Sequence, residues 1–122
     1  LLNQHKKAIN GAKVLMLGVS YKQDIDDYRE SPAIRVYKEL KAVGAEVEYF
    51  DPWVPEFKNM YGESGKSIPA LTPEVIASYD LIMVTCAHTN VDYEMVQRNA
   101  KAIFDTKNAM KNVCPRDNIE VL

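Results

Sequence analysis

Three cationic side chains stand out by where they fall between apolar runs: Lys22, Arg29 and Lys107. Lys22 and Arg29 lie in the polar segment after Lys13-Val-Leu-Met-Leu-Gly18, and Lys107 follows Ala102-Ile-Phe104. Ser31-Pro32, a helix-start signature, comes two residues after Arg29. Fixed positive groups beside a helix N-terminus, whose first N–H groups lack intrahelical partners, suit a phosphate or diphosphate. The alternative is equally physical: these are three of fifteen Lys and Arg residues, each solvated on its own.

Other chemistry-bearing patterns are weaker. A dinucleotide fingerprint needs G-x-G-x-x-G after the first strand, and here Gly18 is followed by Val19-Ser20-Tyr21. The chain is therefore not expected to be a primary NAD site, and it has no P-loop. Cys86 and His88 stand two residues apart, a spacing that rarely builds a nucleophile–base pair. Cys86 is expected to pack at a strand end, and His88 is a candidate for ligand contact. A phosphoacceptor reading of the receiver type could be assembled from Asp24, Asp26, Asp27, Asp51, Thr85 and Lys107. Its acidic cluster begins six residues past Gly18, and Asp51-Pro52 follows a strand one βα unit early, so this reading ranks second. A purely structural or dimerisation domain is a third reading.

The elements that position these groups are legible. Lys13–Gly18 and Leu81-Ile-Met-Val-Thr85 are short continuous apolar runs, as expected of strands buried on both faces. Ala33, Ile34, Val36, Tyr37, Leu40 and Val43 recur at helical spacing after Ser31-Pro32, and Gly44 stops them. Glu46-Val-Glu-Tyr-Phe50 alternates as a second strand. Trp53–Ala70 reads as the least regular part. Thr72-Pro73-Glu74 begins a short helix to about Tyr79, and a second helix runs from about Asp92 to Asn99. Ala102-Ile-Phe104 is a short strand, and Asn118–Leu122 adds an edge strand. This alternation predicts an α/β fold: three-layer, doubly wound, with a mainly parallel five- or six-stranded Rossmann-like sheet. Ligands of such sheets bind beyond the strand C-terminal ends, where Val19–Arg29, Asp51–Val54, Thr85–Asn90 and Asp105–Asn108 emerge.

Composition narrows the partners. The 122 residues are 47% hydrophobic and 26% charged with a net charge of −2, which is ordinary for one globular domain. Positive charge is not concentrated in any arm or patch, so nucleic acid is not indicated. The apolar stretches are far too short to span a bilayer. Cys86 and Cys114 have no metal-ligand spacing, and reduced thiols in a cytoplasmic setting are expected. Leu1–Asn10 has helical composition without an initiator Met and reads as the tail of something longer.

Gly18-Val-Ser-Tyr21-Lys22, Asp24-Ile-Asp-Asp-Tyr-Arg29-Glu30-Ser31-Pro32-Ala33, and Gly44-Ala-Glu-Val with Asp51-Pro52-Trp-Val-Pro55 resemble a known pattern. They look like the C-terminal, UDP-binding domain of the UDP-glucose/GDP-mannose dehydrogenase family. Phe104-Asp105-Thr106-Lys107-Asn108 resembles that family's late strand-end motif, so the resemblance covers nearly the whole chain. It is closest to the branch acting on UDP-N-acetylglucosamine and UDP-N-acetylmannosamine. The resemblance implies an NAD-dependent, two-step oxidation of the sugar C6 alcohol through a cysteine-bound intermediate. It implies that Tyr21, Lys22 and Lys107 contact the UDP-sugar and that Arg29 reaches NAD held by a separate N-terminal domain. Lys107 is Lys where some relatives have Arg, which removes the two-pronged guanidinium grip. Residues 1–10 would be the tail of the central linker helix and 11–122 the UDP-sugar-binding domain. The full-length protein would be a homodimer or larger. The family's catalytic cysteine and NAD fingerprint have no match here, so the chain is expected to be inert alone.

Overall fold

The computed structural model describes residues 11–20, 24, 27–29, 31–60, 62–86, 88–89, 91–106 and 119–121. Its centre is the pair of continuous apolar runs. β1 (Lys13–Leu17) is buried from Val14 onward and β5 (Leu81–Val84) along its whole length. They pair in parallel, from Val14 opposite Leu81 to Leu17 opposite Val84. β2 (Glu46–Phe50) lies parallel to β1 on the other side, while β6 (Ile103–Asp105) and β7 (Ile119–Val121) extend the sheet beyond β5. The order β2-β1-β5-β6-β7 is the expected doubly wound sheet, with five strands.

Side chains alternate across this sheet, so each face carries its own core. Val14, Met16, Val47, Tyr49, Leu81 and Met83 pack against Ala33, Ile34 and Tyr37 of α1 (Pro32–Ala42). Leu15, Leu17, Ile82, Val84 and Ile103 pack against Ile76 of α2 (Pro73–Ala77) and Val96 of α3 (Tyr93–Asn99). Helices cover both faces, which makes the three layers.

The helix boundaries follow the sequence signals, with one difference. Thr72 caps α2 by accepting from the Val75 amide at 3.2 Å, and Asp92 caps α3 by accepting from Met95 at 3.1 Å. Ser31 precedes Pro32 as predicted but makes no side-chain cap; its hydroxyl donates to the Ser20 carbonyl at 3.3 Å instead. That bond ties the start of α1 to the end of β1. At the other end, Gly44 N–H donates to Lys41 and Ala45 N–H to Leu40, closing the helix after Val43.

The stretch expected to be irregular is in fact a hairpin. β3 (Glu56–Met60) and β4 (Glu63–Lys66) form an antiparallel pair outside the main sheet. Phe57, fully buried, anchors it among Tyr28, Tyr37 and Tyr49, with ring centroids 5.5–6.1 Å apart. Gly65 makes this possible, since a Cβ there would meet the Phe57 ring at 2.9 Å.

Candidate functional site: the C-terminal edge of β1 and β5

The chain leaves β1 toward β2 on one side, while β5 lies on the other. The strand order therefore reverses between β1 and β5, and the crevice beyond their C-terminal ends is the expected ligand site. Gly18 opens it. Its φ of +92° is unfavourable for residues with a Cβ, and a Cβ would lie 2.5 Å from Cys86 Cβ and 2.7 Å from the Cys86 carbonyl. The β1 and β5 ends thus touch backbone to backbone. Thr85 Oγ1 reinforces the junction by donating to the Gly18 carbonyl at 2.6 Å.

Beneath the crevice lies a buried polar network. Asp51, at the end of β2, is 1% exposed, and its Oδ2 accepts from the Val19 amide at 2.8 Å and the Ser20 amide at 3.2 Å. Oδ1 accepts from the Trp53 amide at 2.8 Å. His88, also 1% exposed, places Nε2 2.9 Å from Asp51 Oδ2. The other ring nitrogen, Nδ1, accepts from the Asp24 amide at 2.7 Å. An acceptor at Nδ1 fixes the neutral Nε2–H tautomer, with the proton directed at Asp51.

Burial opposes a charged imidazole at this site, while the Asp51 carboxylate and Cys86 act against it and push the His88 pKa up to about 9. The two tendencies meet at Nδ1. Protonation there requires release of the Asp24 N–H, leaving Asp24 Oδ1, 3.8 Å away, as the acceptor to be recruited. The 2.7 Å bond from the Asp24 amide needs a lone pair on Nδ1, so the bonding seen here is that of the neutral ring.

This geometry corrects two sequence readings. His88, a candidate for ligand contact, is walled off from solvent and used inside the protein. Asp51, the phosphoacceptor of the receiver reading, is buried and occupied by three backbone amides and an imidazole, so no phosphodonor reaches it. Ser20, Cys86 and His88 cluster, with Ser20 Oγ 3.3 Å from Nε2 and 3.4 Å from Cys86 Sγ, yet they make no nucleophile–base relay. Nε2 already carries the proton and Nδ1 is taken, so the ring has no lone pair to accept one. Cys86 is, as expected, a small residue packed at a strand end. Among the described residues, no group of three or more His, Cys, Asp or Glu is placed to hold a metal ion.

The same network answers whether this turn cradles a dinucleotide. The Val19 and Ser20 amides, which in a glycine-rich turn would face a pyrophosphate, are consumed by Asp51. The space above Gly18 is filled by Cys86. The residues present do not fit NAD at this turn.

Above the network stands Asp24. Asp24 is held there by its carboxylate, which accepts from Thr89 N and Thr89 Oγ1, both at 2.8 Å. The Thr89 amide and hydroxyl hold the Asp24 pKa below the ordinary 3.8, with slight opposition from burial and smaller help from His88 and Trp53. Arg29 is exposed and lies on Asp27, through Nε at 3.1 Å and Nη2 at 3.2 Å. Tyr21, Lys22 and Lys107 lie outside the described residues. In sequence, Ser20 and Asp24 are the nearest described neighbours of Lys22 and Thr106 that of Lys107, and the Thr106 N–H donates to the Val84 carbonyl. A separate depression of about 420 Å³ over the hairpin, lined by Glu56, Phe57, Lys58, Ser64, Gly65 and Lys66, shares no lining residue with this edge. Among the described residues, no helix is long and apolar enough to cross a membrane.

Fold and edge together define a doubly wound α/β domain of the nucleotide-handling kind. The chain belongs to the UDP-glucose/GDP-mannose dehydrogenase family, UDP binding domain, whose profile matches residues 15–112. It is 31% identical over 105 residues to a UDP-N-acetyl-D-glucosamine 6-dehydrogenase of Pseudomonas aeruginosa, covering 81% of this chain and 24% of that protein. A Salmonella typhi enzyme of the same name is 41% identical over 88 residues, 68% of this chain and 19% of that protein. Among solved structures, an NDP-N-acetyl-D-galactosaminuronic acid dehydrogenase from Methanosarcina mazei superposes with a TM-score of 0.77 at 22% identity. That match spans 99% of this chain and 26% of the other, and at this identity it speaks for the fold. The chain thus spans about a quarter or less of the length of these relatives.

Proposed function

We propose that this chain is the nucleotide-sugar-binding domain of an NAD-dependent UDP-sugar 6-dehydrogenase, which oxidises the C6 alcohol of a UDP-N-acetylhexosamine to a uronate. The observation that carries the reading is the family match over residues 15–112, which includes both segments flanking the β1–β5 crevice. In this reading Tyr21 and Lys22, beyond the end of β1, and Lys107, beyond β6, contact the UDP moiety. Arg29 reaches toward NAD bound by an N-terminal domain. NAD, when bound there, accepts the hydride. Residues 1–10 are the tail of a central linker helix, 11–122 the binding domain, and the full-length protein is a cytoplasmic homodimer or larger.

The contribution of these residues is positional. Binding energy from the UDP end can be used to orient the reacting C6, so a domain without nucleophile or hydride acceptor still raises the rate. Each charge-assisted contact from Lys22 or Lys107 contributes about 1.5–3 kcal/mol to ligand binding. The test is calorimetric titration of UDP into the full-length protein carrying Lys22→Ala or Lys107→Ala. Each is expected to weaken binding by roughly ten- to a hundredfold. Unchanged affinity in both ends the proposal. Arg29→Ala should raise the KM for NAD and leave UDP affinity alone; the opposite pattern removes its assignment. The receiver reading is set aside by the burial of Asp51, and a purely structural role by any measurable UDP binding that depends on the lysines.

A further inference from the structure

We propose that Trp53 is the seat for the base of the bound nucleotide, its exposed indole surface stacking on the nucleobase at the C-terminal edge of the sheet. The inference rests on the reading of this edge as a nucleotide-sugar site, and it adds the group that meets the base.

Among the described residues, the exposed large hydrophobic side chains are Val43 and Trp53. Val43 lies at the C-terminal end of α1, at the sheet edge away from the crevice. Trp53 follows β2 at the ligand edge, one strand spacing of about 4.8 Å from the end of β1. Its ring is not loose there. The Trp53 amide donates to Asp51 Oδ1 at 2.8 Å. The indole N–H, the one donor a Trp side chain carries, goes to the Asp24 carboxylate, which Thr89 N and Oγ1 clamp at 2.8 Å each. The ring centroid lies 6.5 Å from that of His88, with the planes tilted by 43°. His88 follows β5, and β1 stands between β2 and β5, so the indole reaches from the end of β2 past β1 toward the crevice. The residue nevertheless stays 41% exposed. An aromatic ring ordered before its ligand arrives, with apolar surface left uncovered, has the property of a binding anchor.

Two observations favour a base as the cover. The ring's polar atom is spent on Asp24, so what remains is apolar, π-rich surface, which stacks on a planar ring and does not hold a phosphate. The place in the fold agrees. In doubly wound nucleotide domains the phosphates lie at the first turn and helix N-terminus, and the group that meets the nucleoside comes at the end of the next strand. Asp51 holds that place here and is buried under three amides and His88, and Trp53 is two residues past it. Stacking registers the presence of a base and not its hydrogen-bonding edge, so Trp53 adds affinity without choosing among bases.

The test uses the full-length protein and two probes, UDP and inorganic pyrophosphate, which has no base. Trp53→Ala should weaken UDP binding roughly five- to a hundredfold and leave pyrophosphate within about twofold of wild type. Trp53→Phe keeps an aromatic face and should hold UDP within about threefold. Both variants lose the bond to Asp24, so a ring that served only to brace Asp24 would weaken UDP binding alike in the two. That equal loss overturns the inference. So does a Trp53→Ala protein that binds UDP as wild type, or one whose pyrophosphate affinity falls in step with UDP. A raised KM for NAD with UDP affinity unchanged also overturns it, since the cover is then the other nucleotide. Lys22→Ala and Lys107→Ala are titrated alongside. If they weaken UDP binding while Trp53→Ala does not, the functional reading stands and this inference alone falls. If neither the lysines nor Trp53 matters, both fall.

Discussion

Replacing Gly18 by alanine tests the backbone-to-backbone junction on which the crevice is built. The added methyl would lie 2.5 Å from Cys86 Cβ, 2.7 Å from the Cys86 carbonyl and 3.0 Å from Cys86 Cα. All three atoms belong to the main chain or to the Cβ that every residue except glycine carries, so no rotamer change relieves the contact. Holding a non-glycine residue at a φ of +92° costs about 1–3 kcal/mol, and overpacking a fitted core about 1–3 kcal/mol more. The expected loss is therefore about 2–6 kcal/mol, a large part of the ~5–15 kcal/mol that holds a domain together. At roughly 4 °C per kcal/mol for a chain of this size, the Tm should fall by about 8–24 °C. Thermal unfolding followed by circular dichroism measures it. The control is the double variant with Cys86→Ala, which keeps the offending Cβ and should recover nothing. A loss below about 1 kcal/mol, or rescue by Cys86→Ala, would show that the junction yields easily and that the reasoning is wrong.

Asp51→Asn leaves an amide among donors that need a carboxylate, and should cost about 1–3 kcal/mol in urea unfolding; a neutral result contradicts the network. The Asp24 carboxyl, held below 3.8 by Thr89, contributes stability above that value, lost as the pH falls through its depressed folded value. Thr89→Val should move the Asp24 carboxyl titration, read by carbon-13 NMR, back up toward 3.8, and an unmoved value refutes the clamp. At the alkaline end, burial pushes Tyr79 up to about 12 and raises Tyr37, Tyr49 and Tyr93 as well. Unfolded tyrosines release their protons near 10 while these keep theirs, so stability should fall as the pH rises past 10. In absorbance at 295 nm these four tyrosines should ionise above pH 10 while the protein stays folded, and their complete ionisation near 10 in the folded protein would refute it.

What could be read from the sequence depended on how local the signal was. β1 and β5 were legible because a strand covered on both faces must be apolar at every position. α1 was legible from Pro32 and the spacing of Ala33, Ile34 and Tyr37. The β3–β4 hairpin was not, because it buries Phe57 while Lys58, Ser64 and Lys66 stay outside, and a Gly that serves ring packing resembles a Gly in a loop. The polar network escaped for a different reason. Asp51 and His88 meet across 37 positions, and Asp24 and His88 across 64, so no spacing rule joins them. Asp51 stands directly at a strand end in the sequence, yet its type suits a phosphoacceptor and a buried acceptor of amides equally well. Burial decides between them, and burial is a property of the fold.

The placement of β5 beside β1 has a consequence for the order of events on the ribosome. Among the strands of this domain β1 is made before β2, its neighbour on one side, but its other flank is completed only by Leu81–Val84, 67 positions downstream of Val14. A nascent chain that stops short of Leu81 therefore holds Leu15 and Leu17 only partly covered, with no β5 or α3 packing to complete their cover. Cotranslational collapse of this domain must wait for its second half, and until then the segment is a natural client for chaperones.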